Sequence, residues 1–366
     1  MRIVVKLGTS SVTAGTKKLH APSLLRFAQE IAALKVLGHE VILVSSGAVA
    51  AGREVLQQPS LAKHLPAKQM LAAVGQPRLM HRYSELFGYF DITVAQVLLT
   101  RADIEDRKRY LNARDTLNAM LKHQVLPIIN ENDAVSTAEI RVGDNDQLSA
   151  LVANLIQAEQ LILVTDCAGL YDKNPREFAD ATLIRDIPGP ISAAQWQAAG
   201  GPNSSNGAML GTGGMVTKLQ AAEIARNIGC AVMIVDGREV QVLQRALDGS
   251  LACTRIQALA DAFESRKRFL RTQTPRGSVR IDAGAACALS AGKSLLAVGV
   301  TEIVGEFDRG EMLLILAASG ELARGLVRYS SAELRQIAGA HSAAIHLRLG
   351  FSLGHAVVHK NDLLLT

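Results

Sequence analysis

The stretch RIVVKLGTS, Arg2–Ser10, joins a strand, a buried charge and a turn. Its run of β-branched and aliphatic residues, interrupted only at Lys6, reads as a buried strand. A lysine at the end of such a strand is costly without an anionic partner. It either meets one or snorkels out to water. Gly8 lets the backbone approach a ligand closely, and Thr9 and Ser10 offer hydroxyl and N–H groups. That set suits phosphate.

The same strand-then-turn grammar continues outward. Pro22–Leu37 reads as a helix, with proline in its first turn and Gly38 ending it. Val41–Ser45, Ile92–Thr100, Val125–Asn130, Leu161–Thr165 and Ala231–Val235 read as strands. Helical patterns separate them, among them Asp106–His123 and Met215–Ile228. Strands alternating with helices predict the α/β class: a mainly parallel sheet with helices on both faces. Near residue 260 the style changes. Phe263–Arg280 is basic and contains Thr-Pro-Arg-Gly, which predicts a first domain over 1–258, a linker over 259–273 and a second domain over 274–366. The pieces SVRID, SLLAVGV, EIVGEF, MLLILAA and LARGLVRYS, set between glycine turns, make that second domain small and mostly β.

A chain of 366 residues that is 48% hydrophobic and 20% charged can bury sizeable cores and has no disordered character. A net charge of +5 is compatible with anionic substrates or RNA and selects neither, while 4% aromatic residues argue against a base-stacking surface. Cys167, Cys230, Cys253 and Cys287 are scattered, without a C-x-x-C pair, so free thiols in a reducing cytoplasm are expected rather than disulfides or a zinc knuckle. The start MRIVVKLGTSS lacks a signal-peptide pattern, and no apolar run approaches the ~18 residues of a membrane span.

In a sheet of this kind ligands sit beyond the carboxyl ends of the strands, so the strand-to-helix turns carry the chemistry. In VSSGAVAAG, Val44–Gly52, the residues Ser45, Ser46 and Gly47 open a helix. They are either an ordinary serine cap or a row of N–H groups facing an anion. INENDAVSTAEIRVGDNDQLSA, Ile129–Ala150, gathers Glu131, Asp133, Glu139, Asp144 and Asp146 with Asn130, Asn132 and Asn145. These form a solvated loop, or a site for an amine, Mg²⁺ or a phosphate-bound lysine. VTDCAGLYDKNPR, Val164–Arg176, ends a strand at Thr165 and Asp166, where a nucleotide base or ribose could rest. LGTGGMVTKLQAAEIA, Leu210–Ala225, has a glycine-rich turn and a lysine at a helix start but not the Walker spacing. Bare amides, a helix dipole and Lys218 make an anion site of another design.

Taken in order, KLGTS, SSGAVAAGR, NENDAV…VGDND, LVTDCAGLYDKNPR and GTGGMVTKLQAA resemble the glutamate 5-kinases of the amino-acid kinase family. IDAGAACAL, GKSLLAVGV and VGEFDRGEMLLI resemble the PUA domain appended to many of them. The resemblance implies a three-layer α/β/α kinase domain that transfers the γ-phosphoryl of ATP to the side-chain carboxylate of L-glutamate, with Mg²⁺, in the first step of proline biosynthesis. It implies proline as inhibitor, a homo-oligomer (dimer or tetramer), and a glutamyl-phosphate reductase as possible recipient of the product; it leaves RNA binding and the Mg²⁺ ligands open. By motif match Lys6 and Lys218 contact the phosphoryl group and Asp146 holds both lysines. Ser46, Asp133 and Asn145 bind glutamate. Thr165, Asp166 and the loop Thr212, Gly213, Gly214, Met215, Val216, Thr217 and Lys218, with Lys6, bind ATP. Two departures stand out: Ala168 where a polar or acidic residue is common, and Ala297 where proline is expected. Competing readings are a sister kinase acting on N-acetylglutamate, aspartate, carbamate or a nucleoside monophosphate, and an RNA-binding protein defined by its C-terminal domain.

Overall fold

The computed structural model describes residues 1–57, 64–136, 145–200, 214–259, 270 and 273–366. These fall into two compact units: residues 1–105 with 112–259, and residues 106–111 with 270 and 273–366. Most of the expected linker lies outside the described residues.

In the first unit the strands are β1 Arg2–Leu7, β2 Glu40–Ser45, β3 Val94–Leu99, β4 Leu126–Glu131, β5 Gln160–Thr165, β6 Asp186–Ile187, β7 Ala231–Asp236 and β8 Thr254–Ile256. Among the described residues they form one eight-stranded sheet in the order β3-β4-β2-β1-β5-β7-β8-β6. Pairing is parallel except where β8 runs antiparallel to β7. The helices are α1 Thr9–Thr13, α2 Ala21–Val36, α3 Ala48–Val55, α4 Leu65–Gly88, α5 Arg101–Glu105, α6 Arg107–Lys122, α7 Asn145–Ile156, α8 Ala193–Ala198, α9 Met215–Arg226 and α10 Val242–Asp248.

The pleat of β1 sorts its side chains. Ile3, Val5 and Leu7 enter one core with Leu24, Phe27 and Ile31 of α2, Tyr83 of α4 and Leu243 of α10. The opposite face is covered by α7 and α9. The result is the expected three-layer α/β/α arrangement. β1 is central: the chain moves from it to β2 on one side and later returns to β5 on the other. The carboxyl ends of β1, β2 and β5 therefore border the crevice where strand order reverses, the place such sheets bind ligands.

Three elements differ from the sequence reading. Helix α4 runs unbroken over 24 residues through Gly75 and Pro77, whose missing N–H removes one helical bond. It survives because it packs almost backbone to backbone on α3. A Cβ on Gly75 would lie 1.8 Å from the Ala48 carbonyl oxygen, and one on Gly52 would lie 2.0 Å from that of Leu71. The helix after β2 is not capped by a serine: Gly47 is the N-cap, at φ 116°, with no side-chain cap bond. A side chain there would also strike Val12, so glycine is required on both counts.

The second unit has strands β9 Gly277–Ile281, β10 Leu295–Leu296, β11 Val300–Val304, β12 Met312–Ala317, β13 Gly320–Val327 and β14 Ala356–Leu365. They form a sheet in the order β10-β14-β13-β12-β9-β11. Val279, Leu313, Ile315, Val327 and Val357 fill its core. The segment IDAGAACAL includes a helix, Ala283–Ser290, whose N-cap Asp282 accepts from the Ala285 N–H. Strand β14 went unread because its centre, His-Lys-Asn-Asp, interrupts the apolar pattern.

Gly75→Ala should lower the urea midpoint by the equivalent of about 1–3 kcal/mol or more, through overpacking against α3. Gly88→Ala, on the same helix with open space around it, should be neutral or mildly stabilising. A Gly75→Ala protein as stable as wild type would refute the backbone contact.

Candidate active site

The alternation that buries Val5 against α2 turns Lys6 the other way, toward α7. There it meets Asp146 in the first turn of that helix, Nζ to Oδ1 at 2.5 Å. Lys218, in the opening turns of α9, reaches the other carboxylate oxygen at 3.2 Å. Thr217 donates its hydroxyl to the same Oδ2 at 2.9 Å and to the Gly214 carbonyl at 2.8 Å. All three charged side chains are almost wholly buried, Asp146 at 0% exposure. Burial pushes the Asp146 carboxyl up, but the ammonium groups of Lys6 and Lys218 and the Thr217 hydroxyl outweigh it. The group is held below the ordinary carboxylate range. So the expensive lysine of the opening motif has its anion, and that anion is shared with a second lysine.

The surroundings suit an anionic guest. Two buried cations meet on one carboxylate here. A Cβ on Gly8 would lie 3.4 Å from Lys6 Nζ, an ordinary contact, so the ammonium sits directly beside the turn. Helix α9 begins at the N-cap Gly214 with no side chain closing its first turn. Met215, Val216 and Thr217 occupy that turn, where N–H groups and dipole favour negative charge. Thr212 and Gly213 lie outside the described residues.

Beside the lysines lies a polar network. Asn145, the first residue of α7, donates from Nδ2 to Ser46 Oγ at 2.8 Å and to Asn130 Oδ1 at 2.9 Å. Asn130 donates to Gln76 Oε1 at 2.9 Å, and Gln76 to Gln96 Oε1 at 3.2 Å. Ser45 is not in this network: its hydroxyl lies 2.6 Å from that of buried Tyr83, whose phenol burial pushes far up. A cavity of about 180 Å³ adjoins, lined by Ala48, Gln76, Gln96, Glu131, Asn132 and Asp133 among others. The acidic loop is thus not one solvated cluster. Glu131 is buried and accepts from the Ser136 hydroxyl at 2.9 Å, Asp133 faces the cavity and Asp146 binds the lysines. Glu139 and Asp144 lie outside the described residues.

Thr165 and Asp166 stand apart from this network, at the end of β5. Thr165 pairs in register with Asp236 of β7, and Asp166 accepts from Arg176 at 2.8 Å. Arg238 clasps Asp236 and donates to the Asp166 carbonyl at 3.0 Å. Gly169 lies against Thr254, whose hydroxyl accepts from the Leu170 N–H at 2.8 Å, so this turn is built for shape. Burial pushes the Cys167 thiol up, which makes it a poor nucleophile at neutral pH. Sequence reading missed Gln76, Gln96 and Tyr83. The signal was there for two of them: a single amide interrupts an otherwise apolar or small stretch in AAVGQP and in VAQVLL.

Comparison with known proteins points the same way. Residues 1–236 match the model of the amino acid kinase family, and residues 277–349 match the PUA domain. A glutamate 5-kinase of Herpetosiphon aurantiacus is 49% identical, over 99% of this chain and 98% of that protein. A glutamate 5-kinase of Deinococcus radiodurans is 47% identical over 100% of both chains. The fold of carbamate kinase from Giardia lamblia, solved with AMP-PNP, matches 70% of this chain and 98% of that one at a TM-score of 0.51 and 19% identity. The chain belongs to the amino acid kinase family and carries a PUA domain behind the kinase fold.

Asp146→Asn should cost about 3–5 kcal/mol at pH 7, because it leaves two buried ammonium groups without their anion. Since Asp146 is held below its ordinary pKa, its stabilisation is complete above the unfolded value of about 3.9 and is lost as pH falls through the folded value. The gap in urea midpoint between wild type and variant should therefore narrow below about pH 4. Equal midpoints at pH 7 would show that the shared carboxylate contributes nothing to folding.

Proposed function

We propose, from this family membership, that the chain transfers the γ-phosphoryl group of ATP to the side-chain carboxylate of L-glutamate, giving L-glutamyl 5-phosphate, the first step of proline biosynthesis. Full-length identity near one half to glutamate 5-kinases supports the reaction. The single observation that carries the chemistry is the clasp of Lys6 and Lys218 on Asp146.

The nucleophile in this reading is the substrate's own carboxylate, ionised at neutral pH and in need of no general base. What remains is to position two anions and to neutralise charge that spreads over the transferring group. Lys6 and Lys218 supply that charge on either side, with Asp146 fixing their directions. Ser46 accepts from Asn145, so its own hydroxyl proton is free to donate to the attacking carboxylate. Asn145 Oδ1 is buried without a hydrogen-bond partner among the described residues and suits the substrate ammonium, with Asp133 on the cavity wall. The first turn of α9, with Thr165 and Asp166, takes the nucleotide. Free amino group and acidic wall together favour glutamate over N-acetylglutamate or a nucleotide acceptor.

Mg²⁺ enters with ATP. The carboxylate between the lysines is already committed to them, so among the described residues Asp146 would not be the group that holds the ion. When bound it offsets phosphate charge. Feedback inhibition by proline, a homo-oligomeric state and hand-over of the labile acyl phosphate to a reductase belong to the same reading. We take residues 1–258 as the catalytic domain and 274–366 as the PUA domain. Four free thiols suit a reducing cytoplasm, and no helix among the described residues is long and apolar enough to cross a membrane.

The test is ADP release from ATP and Mg²⁺ with L-glutamate, N-acetyl-L-glutamate or L-aspartate, with and without proline. Hydroxylamine traps any acyl phosphate as the hydroxamate. Turnover with L-glutamate that proline suppresses is expected; turnover with another acceptor alone would overturn the assignment. Lys6→Ala should lower kcat by at least about a hundredfold, as loss of a transition-state donor does. A kcat within a few-fold of wild type would remove Lys6 from the chemistry.

A further inference from the structure

Four side-chain amides run head to tail between the lysine clasp and the cavity wall, and one backbone group fixes their direction. The N–H of Glu131 donates to Asn130 Oδ1 at 2.9 Å. A peptide N–H can only donate, so the oxygen of Asn130 must face it and the Asn130 amide nitrogen must face Gln76. Gln76 therefore presents its oxygen to Asn130 and its nitrogen to Gln96 Oε1. On the other side Asn145 must turn its nitrogen to Asn130. Flipping any one amide would set oxygen against oxygen or nitrogen against nitrogen along the line.

A chain of fixed direction has two unlike ends. At one end, Asn145 keeps a buried acceptor, Oδ1. At the cavity end, Gln96 has its oxygen committed to Gln76 and offers N–H from Nε2. That donor stands on a wall that also carries Glu131 and Asp133. Two acids suit an ammonium but repel a carboxylate, so an amino acid placed here needs a donor for its main-chain carboxylate. An amide oriented by such a chain is such a donor, and it binds a carboxylate more strongly than the carbonyl oxygen of a neutral α-amide.

We propose that Gln96 is a specificity-determining residue that donates to the α-carboxylate of the amino acid, and that Gln76 is the positioning residue that keeps its nitrogen toward the cavity. This rests on the kinase reading above and deepens it, since that reading places the reacting carboxylate at the lysines and the ammonium by Asn145 and Asp133 and leaves the α-carboxylate without a partner.

The experiment compares kcat/KM for L-glutamate with that for L-isoglutamine, which keeps the side-chain carboxylate but carries an α-carboxamide. Wild type should favour glutamate. Gln96→Glu still accepts from Gln76 but shows the cavity a carboxylate oxygen. It should lower kcat/KM for glutamate roughly tenfold to a hundredfold, the range of a hydrogen bond to a charged group, mostly through KM. Isoglutamine, which can donate to the new oxygen, should lose far less, so the ratio collapses. Gln76→Glu accepts from Asn130 but has no proton for Gln96, and should erode the same ratio while KM for ATP stays put. Gln96→Ala, which removes the donor without adding charge, covers the case in which Gln96→Glu folds poorly. Ratios unchanged from wild type in the Gln96 variants would overturn the proposal while leaving the kinase reading intact. A wild-type chain that does not phosphorylate glutamate would overturn both.

Discussion

One carboxylate holding two lysines is the constraint to which the first unit answers. Asp146 is fully buried, and so are the cations on either side of it. A charge in that position is tolerable only with partners, and a lysine there only with an anion. The sheet supplies the first lysine from its central strand, α7 the acid and α9 the second lysine. Each element must be docked for the other two to be satisfied. The face of β1 on which Lys6 lies and the docking of α7 and α9 over it answer that requirement.

Around the clasp the protein uses side-chain amides in place of further charge. Asn130, Asn145, Gln76 and Gln96 carry direction without carrying net charge, so they orient a guest at little desolvation cost. The close packing of α3 on α4 serves this arrangement. It brings Ala48 and Gln76 to the same cavity, and glycines at the crossing let the two backbones meet.

The sheet was legible because buried parallel strands are written as apolar runs, and RIVVKL, VILVS and LILVT are hard to read otherwise. Helix α4 was not, since Gly75 and Pro77 are breakers by propensity and only tertiary packing overrides them. In the same way Ser45 and Ser46 look like a cap. The φ of Gly47 assigns the cap to glycine and leaves the serines for Tyr83 and Asn145. The residues of the clasp could be named from motifs, but that Lys6 and Lys218 share one carboxylate is a long-range fact that no local window contains. Gln76 and Gln96 lacked even a motif, because a lone amide in an apolar stretch states that it has a partner and not which one.

The three members of the clasp come from β1, from α7 and from α9. During synthesis Lys6 and Asp146 are both made long before Lys218 exists. A growing chain therefore passes through a stage in which the carboxylate has one cation and the second position is open to solvent ions. The clasp is complete only when α9 arrives, which ties its assembly to near-completion of the domain. A chain cut short before α9 lacks both the second cation and the strands β7 and β8 of the same sheet.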